Sequence, residues 1–519
     1  MEMNDQVEAR LEKLGKLKEM GINPYPYGFA ATHDSAGLLA DKGKLLVPEP
    51  DPAAPPAAVD APIAVAPPVT VAPQVAFAGR IVRYNLKGKL AFIHLKDDMG
   101  RQQVMFSRDA VGEPAFELVK LLDIGDWVGV RGHMFITRTG EYTVHAKFVE
   151  LLSKAIRPLP IPKEKIENGV KVIFDEFKDV EMRYRQRYVD LTLNDNVRET
   201  FKKRSRIIQS VREYLLGKDY LEVETPVLQA IYGGASARPF LTHHNALDIP
   251  LFLRVSNELY LKRCITGGFP RVFEFAKDFR NEGIDRTHNP EFTLLEFYQA
   301  FADYNGMMIH FENIYAAACT AANGSRRFTY QGKEFDLTPP WPRMTVKDAL
   351  KKFGSLDVDA MSDDALKAAM AESHAELKGG YSRGLAIKAL FEARCEAKLD
   401  GPIFIIDHPK ESTPLCKAHR SDPDLVEQFE PYINGWEVGN AYSELNDPLL
   451  QRKLLEDQVE RGRGGEDETH PLDEDFLRAL EYGMPPTGGV GIGIDRMVML
   501  LTDSQTIKDV LLFPLMKPE

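Results

Sequence analysis

The sequence predicts an α+β protein in two folded parts: a small N-terminal β-barrel and a larger domain that mixes helices and strands. Residues 76–152 break into five short β-rich segments separated by LKGK, DDMG and RTG turns. Residues 180–519 mix amphipathic helical patterns with segments that alternate like strands. A chain of 519 residues also exceeds one core, so two or three domains are expected.

At the N-terminus, Val7, Leu11, Leu14, Leu17 and Met20 recur about one turn apart, a helix over 2–20 that Gly21 and NPYP stop. This run is charged throughout, unlike a signal peptide, and no apolar run approaches the ~18 residues a membrane helix needs. Cys264, Cys319, Cys395 and Cys416 form no CxxC pair, which fits a reducing compartment without a disulfide framework or cysteine zinc site. The expectation is a cytoplasmic protein with no membrane partner. From Pro48 to Pro73 the chain holds 9 prolines and 8 alanines, an extended, mobile insertion with no assigned function that completes an N-terminal region 1–75.

Five strands over 76–157 suggest a barrel, and the oligonucleotide-binding (OB) fold is the commonest of that size. Residues 77–157 carry 13 Lys+Arg against 9 Asp+Glu in a chain of net charge -12. One basic module in an acidic protein points to a polyanion, against the plainer reading of a β module with a mildly positive face. A connector, 158–179, holds most of RPLPIPKEK and leads to the domain 180–519.

In that domain RETFKKRSRIIQSVREYLLG reads as an amphipathic helix, with Phe201, Ile208, Val211 and Leu215 on one stripe and Gly217 as its stop. YLEVETPVL alternates like a strand until Pro226. RVFEFAKDFRNEG and EFTLLEFYQAF form a hairpin around the polar loop IDRTHNP. Arg280 and Glu282 then share one strand face, a cross-strand ion pair being the plain alternative. A helical interlude, about 347–400, precedes the strand GPIFIID. In GGVGIGIDRMVMLL the glycines allow close backbone approach to a ligand before an arginine-bearing helix. A dinucleotide fingerprint is excluded there because no βαβ unit follows. Finally, EVGNAYSELND sets Glu437 and Glu444 among uncharged residues, so inward-facing carboxylates would need something positive to meet them.

Together, DYLEVETPVL, FRNEG…HNPEF and GIGIDR resemble the three signature motifs of class II aminoacyl-tRNA synthetases. GGASARPFLTHHNALD, ELYLKR, HNPEFTLLEFYQAFADY, NAYSELND and LTDSQTIKDVLLFP, in that order, resemble the lysyl-tRNA synthetase family, over about 76–517. The resemblance implies an OB-fold anticodon-binding barrel and a class II catalytic domain built on an antiparallel sheet. It implies an ATP-dependent lysine–tRNA ligase that forms lysyl-adenylate and charges tRNA(Lys). Lysine would be held by Gly234 and Glu258 at the α-amine and by Arg280 at the carboxylate. Glu444 would take the ε-ammonium, helped by Tyr298, Tyr442 and Asn440. ATP would meet Arg280, Glu282, His288, Phe292, Glu437 and Arg496, with Arg280, Arg496 and His288 carrying the catalytic charge compensation. Glu430 and Glu437 would hold Mg2+. Phe92 and Gln103 would read an anticodon base, a barrel-core place for Phe92 being the alternative. The resemblance also implies a homodimer through 198–228.

Two departures stand out. Thr287 sits before His288 where many bacterial relatives carry arginine, with Arg286 one residue earlier, and Trp436 precedes Glu437. Rival readings are a lysine ligase acting on a protein, whose relatives generally lack the barrel, and a non-catalytic RNA-binding paralogue, expected to have lost Arg280, Glu444 or Arg496. Aspartate and asparagine ligases share the architecture, but Glu444 would be the wrong residue for their substrates.

Overall fold

The structure is a computed structural model that describes residues 5–46, 73–161, 163–167, 170–174, 177–377, 380–463 and 471–518. The Ala/Pro tract lies, but for its last residue, outside them. By internal contacts the chain divides into two compact units, 1–178 and 179–519.

In the first unit β1 (Val75–Lys87), β2 (Leu90–Lys96), β3 (Arg101–Ser107), β4 (Trp127–Ile136) and β5 (Tyr142–Ser153) close a barrel in the order β1-β2-β3-β5-β4. The pairings are antiparallel apart from β3 with β5. This is the connectivity of the expected OB fold. The long β1 serves both β2 and β4, and a register shift between Ile81 and Arg83 supplies the bend that closure needs. Strand alternation sends Phe77, Ile93, Leu95, Val104, Phe106, Val130 and Val144 into the core. Leu17 of α1 (Asp5–Glu19) and Phe116 of α2 (Glu113–Leu121) join them. The expected connector contains a two-stranded hairpin, Lys163–Glu167 with Val170–Phe174.

The second unit is built on nine strands: β6 (Leu221–Glu222), β7 (Arg271–Phe279), β8 (Glu291–Ala300), β9 (Arg343–Thr345), β10 (Ile403–Pro409), β11 (Leu425–Ile433), β12 (Trp436–Glu437), β13 (Gly439–Ser443) and β14 (Thr487–Gly493). Their order is β9-β10-β11-β13-β14-β8-β7-β6, with β12 on β11, and only the outermost pairs, β9–β10 and β7–β6, are parallel. One face is apolar. Leu295, Phe297, Ala441, Val490 and Ile492 pack there against α3 (Asp195–Leu216), and against α5 (Tyr304–Asn323) and α8 (Ile494–Leu501), which follow α4 (Glu258–Thr266) in the chain. The alternate residues Glu296, Tyr298, Asn440, Tyr442 and Gly489 therefore share the opposite face, and that face carries the chemistry.

Several local expectations are corrected. The buried stripe of α3 is Val197, Ile207, Val211 and Leu215, whereas Phe201 and Ile208 remain half-buried. Gly217 ends the helix in a right-handed conformation, and the left-handed residue is Asp219, two positions on. YLEVETPVL forms only the short strands Leu221–Glu222 and Leu228–Gln229. β7 ends at Phe279, so Arg280 and Glu282 lie in the hairpin loop and share no pleat. The interlude holds α6 (Asp363–Glu372) and α7 (Arg383–Arg394).

Candidate active site

A cavity of about 450 Å³ opens on the polar face of the sheet. Gly234, Glu258, Arg280, Glu282, His288, Phe292, Tyr298, Glu437, Asn440, Tyr442, Glu444 and Arg496 all line it, while Glu430 does not. Residues more than 200 positions apart meet because β8, β13 and β14 are neighbours and alternate side chains of each face the same way. The glycines of β14 keep this face low. A Cβ on Gly489 would collide with Glu444 Oε1 and the Tyr298 ring, and Gly488 is similarly tight against Met307 on the other face.

At the deep end, Glu444 is 1 % exposed and Glu258 is 5 % exposed. The positive group that meets them is part of the protein. Lys262, fully buried, places Nζ 2.6 Å from Glu258 Oε1 and 2.5 Å from Glu444 Oε2. Glu258 and Lys262 pair one turn apart on α4, whereas Glu444 arrives from the end of β13. Neither oxygen of Glu444 finds a partner in hydrogen-bond geometry among the described residues, so the ion pair is its close contact and Oε1 has none. Burial pushes the Glu444 carboxyl up to about 8, with Lys262 pulling against this and Glu258 adding to it. Burial also raises Glu258, while Lys262 stays charged because the two carboxylates outweigh its own desolvation.

In the middle, Glu296 is buried between Ser256 Oγ, which donates to it at 2.8 Å, and Tyr298 Oη, which donates at 2.9 Å. Burial, with Glu258 and Asp278 nearby, pushes its carboxyl well up. Sequence reasoning missed Glu296; its signal is the strand alternation that sets it beside Tyr298. Gly234 has φ +85, and a Cβ there would lie 2.8 Å from Ser256 Oγ and 3.0 Å from Glu258 Cβ, so only glycine leaves this wall open. Asn440 donates to Tyr442 Oη at 3.1 Å and accepts from Gln428 at 3.1 Å, which orients its amide. Arg280 places its guanidinium 5.0 Å from the centre of the Phe292 ring. No side-chain hydrogen bond of Arg280 is formed among the described residues, and its buried Nε is unpartnered. The buried Asp278 acts on it electrostatically, but among the described residues no carboxylate forms a close ion pair with it.

The outer end is formed by the hairpin loop. Arg496 Nη2 lies 3.0 Å from His288 Nε2 and Nη1 donates to the Glu437 carbonyl at 2.7 Å. Because guanidinium only donates, His288 Nε2 accepts, and Nδ1 carries the proton toward Asp285 Oδ2 at 2.8 Å. Thr287 bonds Asp285 through its backbone N–H at 2.7 Å, while Arg286 points elsewhere, donating to the Gln505 carbonyl at 2.6 Å. Arg286 therefore does not stand in for the arginine absent at 287. Trp436 packs edge-on against Tyr330 at 5.4 Å and does not line the cavity.

Glu437 faces the cavity, its carboxyl pushed up to about 7 by burial and by the nearby Glu430. Glu430 is spent behind the wall on Tyr432 Oη at 2.9 Å, Gln428 Nε2 at 3.2 Å and Lys388 Nζ at 3.6 Å. Among the described residues no group of three or more His, Cys, Asp or Glu could hold a metal alone. Glu437 alone of the two faces the cavity, so a hard divalent cation there would take its other oxygens from phosphate or water.

On the barrel, Phe92 is half-buried between the core residues Ala91 and Ile93, so it stands on the outer face. Gln103 shares that face across the β2–β3 pair, its Oε1 accepting from Thr143 Oγ1 at 2.7 Å.

Comparison with known proteins agrees with this division. A profile for tRNA synthetases class II (D, K and N) matches residues 179–517, and one for the OB-fold nucleic acid binding domain matches residues 75–152. A lysine--tRNA ligase of Pelotomaculum thermopropionicum is 46 % identical, covering 100 % of this chain and 96 % of that protein. One from Clostridium acetobutylicum is 45 % identical over 99 % and 94 %. One from Christiangramia forsetii is 44 % identical over 100 % and 87 %.

Proposed function

The chain belongs to the class II lysyl-tRNA synthetase family, and from that premise we propose that it activates L-lysine with ATP and transfers the lysyl group to tRNA(Lys). One observation carries the choice of lysine: among the described residues, a single cavity holds a guanidinium with no close ion-pair partner, Arg280, and a buried carboxylate oxygen without a donor, Glu444 Oε1. A lysine zwitterion with its extra ammonium supplies both missing partners. Aspartate or asparagine would leave Glu444 facing a carboxylate or an amide.

In this reading Glu258 and the Gly234 backbone take the α-amine, with Glu296 beside them, and Arg280 takes the carboxylate. Tyr298, Tyr442 and Asn440 complete the shell around the ε-ammonium. The lysine carboxylate attacks the α-phosphorus of ATP, forming the mixed anhydride and releasing pyrophosphate. Positioning and charge compensation are the means, and no protein nucleophile is needed. Arg280 bridges the two reacting anions. Adenine stacks between Phe292 and Arg496, with Glu282 accepting from its amino group. His288, its Nδ1 proton held by Asp285, lies where the γ-phosphate would come. Glu437 would hold Mg2+ from the cavity wall, and Glu430, the second expected ligand, would first have to give up its bonds to Tyr432 and Gln428; the ion would neutralise phosphate charge when bound.

The outer barrel face with Phe92 and Gln103 stacks and hydrogen-bonds an anticodon base. Its presence favours a tRNA substrate over a protein one. Leu216, Leu221, Val227 and Leu228 are 39–50 % exposed, an apolar strip that fits a second copy of this chain across a twofold axis. No helix among the described residues is long and apolar enough to cross a membrane, and the cytoplasm is the proposed location.

Amino-acid-dependent pyrophosphate–ATP exchange across all twenty amino acids tests the reading. Exchange with lysine alone supports it, and exchange driven by another amino acid, or by none, overturns it.

A further inference from the structure

The lysine reading leaves one buried charge unused. Lys262 does not line the cavity, yet it is fully buried and bridges the two carboxylates proposed to recognise the substrate's amines. Its contact to Glu444 is through Oε2. The other oxygen, Oε1, lies over Gly489 and Tyr298 with no partner. Glu444 thus offers a ligand one oxygen rather than two. An ammonium is a compact donor that needs one carboxylate oxygen and further acceptors, which the hydroxyls of Tyr298 and Tyr442 can provide. A guanidinium is a planar fork that binds carboxylate best through two parallel N–H···O bonds.

We propose that Lys262 is a positioning residue that occupies Glu444 Oε2, fixes the carboxylate's orientation, and so makes the pocket select ammonium over guanidinium side chains. The proposal rests on the lysine reading of the cavity. Lys262 acts through Glu444 and Glu258 and touches no substrate itself. Its charge also compensates the carboxylates it joins, so that the substrate-free pocket is not left with an unpaired buried anion.

The test uses the full chain with Lys262→Met and Lys262→Gln, assayed in pyrophosphate–ATP exchange with lysine and, separately, with arginine. In Lys262→Met the KM for lysine should rise ~10-fold or more while kcat falls by less than ~3-fold, and the ratio of kcat/KM for lysine over arginine should drop ~10-fold or more. Lys262→Gln, which keeps one N–H for Glu444, should fall between it and the wild type. Activity on both amino acids lost in parallel, with the ratio unchanged, would mean that Lys262 only supports the fold and would overturn the proposal. So would a Met variant indistinguishable from the wild type. Should circular dichroism show Lys262→Met unfolded, the ratio in Lys262→Gln decides alone, and unfolding of both variants counts against a positioning role. A wild-type chain that does not use lysine would remove the lysine reading itself, a separate result.

Discussion

At the deep end of the cavity, Glu258 and Glu444 are 5 % and 1 % exposed and share a fully buried lysine, whereas at the outer end Glu282, Asp285 and His288 sit on an exposed loop. The deep end has its charge compensated inside the protein before any ligand arrives, and keeps one oxygen back. The outer end keeps His288 exposed and Arg496 half-buried, the two linked by one hydrogen bond. The difference follows from what each end is proposed to meet. A side-chain ammonium has one charge and must be told from near-isosteres, so desolvated, preorganised acceptors are needed. A triphosphate carries several charges and can be gripped from solvent by groups that adjust on binding.

Four experiments break or sharpen this comparison, from the largest effect to the smallest. Glu444→Gln should lower kcat/KM for lysine by ~10^4-fold with the fold retained, since the amide leaves the ammonium without its counter-charge. Pyrophosphate exchange and circular dichroism check it, and near wild-type kcat/KM would show that the deep end is not a recognition site. Arg280→Ala should lower kcat by ~10^2 to 10^3-fold, the range for losing one charge-stabilising donor, with a smaller change in KM for ATP.

The third is a pH effect on lysine binding that the deep end predicts. Glu444 in the empty site titrates near 8, and an arriving ammonium favours its ionised form, so lysine binding below that pH must expel a proton. The KM for lysine should therefore fall as pH rises from about 6 to 8, by up to ~10-fold per unit, and level off above. Lys262, Glu258, Tyr298, Tyr442 and Cys416 surround this carboxyl, and of them only Glu258 also moves upward as a carboxyl. A flat KM over this window would remove the coupling. Last, Asp285→Asn should raise the KM for ATP by about 10-fold and leave that for lysine unchanged, because it loosens the His288 tautomer at the outer end alone.

The sequence shows much of this arrangement, and the reason it stops where it does is physical. Barrel segments read as strands from composition and turns, but the outward place of Phe92 stays open in the sequence and follows only from Ala91 and Ile93 lying in the core beside it. The helix over 195–216 is equally clear, but a stripe shifted by one residue, Ile207 in place of Ile208, cannot be told apart by pattern when both are apolar. Twelve of the thirteen cavity residues expected from the resemblance line the same space, since the strands, hairpin loop and helix starts that carry them meet at one face of the sheet. Lys262 was in plain view within ELYLKR, where a lysine four residues after a glutamate reads as an ordinary surface pair. Its second partner is at the far end of the domain, and nothing local announces it. The question raised by Glu444 among uncharged neighbours therefore has two answers, one inside the protein and one proposed in the substrate.

The central claim is that the free oxygen of Glu444 is the counter-charge for a substrate ammonium. It is tested most directly by measuring binding of lysine and of norleucine, which has hydrogen in place of the ammonium, to the wild type and to Glu444→Gln by calorimetry. The wild type should favour lysine by ~10^4-fold, and the variant should reduce that preference to about 10-fold or less. A preference for lysine that survives unchanged in Glu444→Gln would contradict the claim.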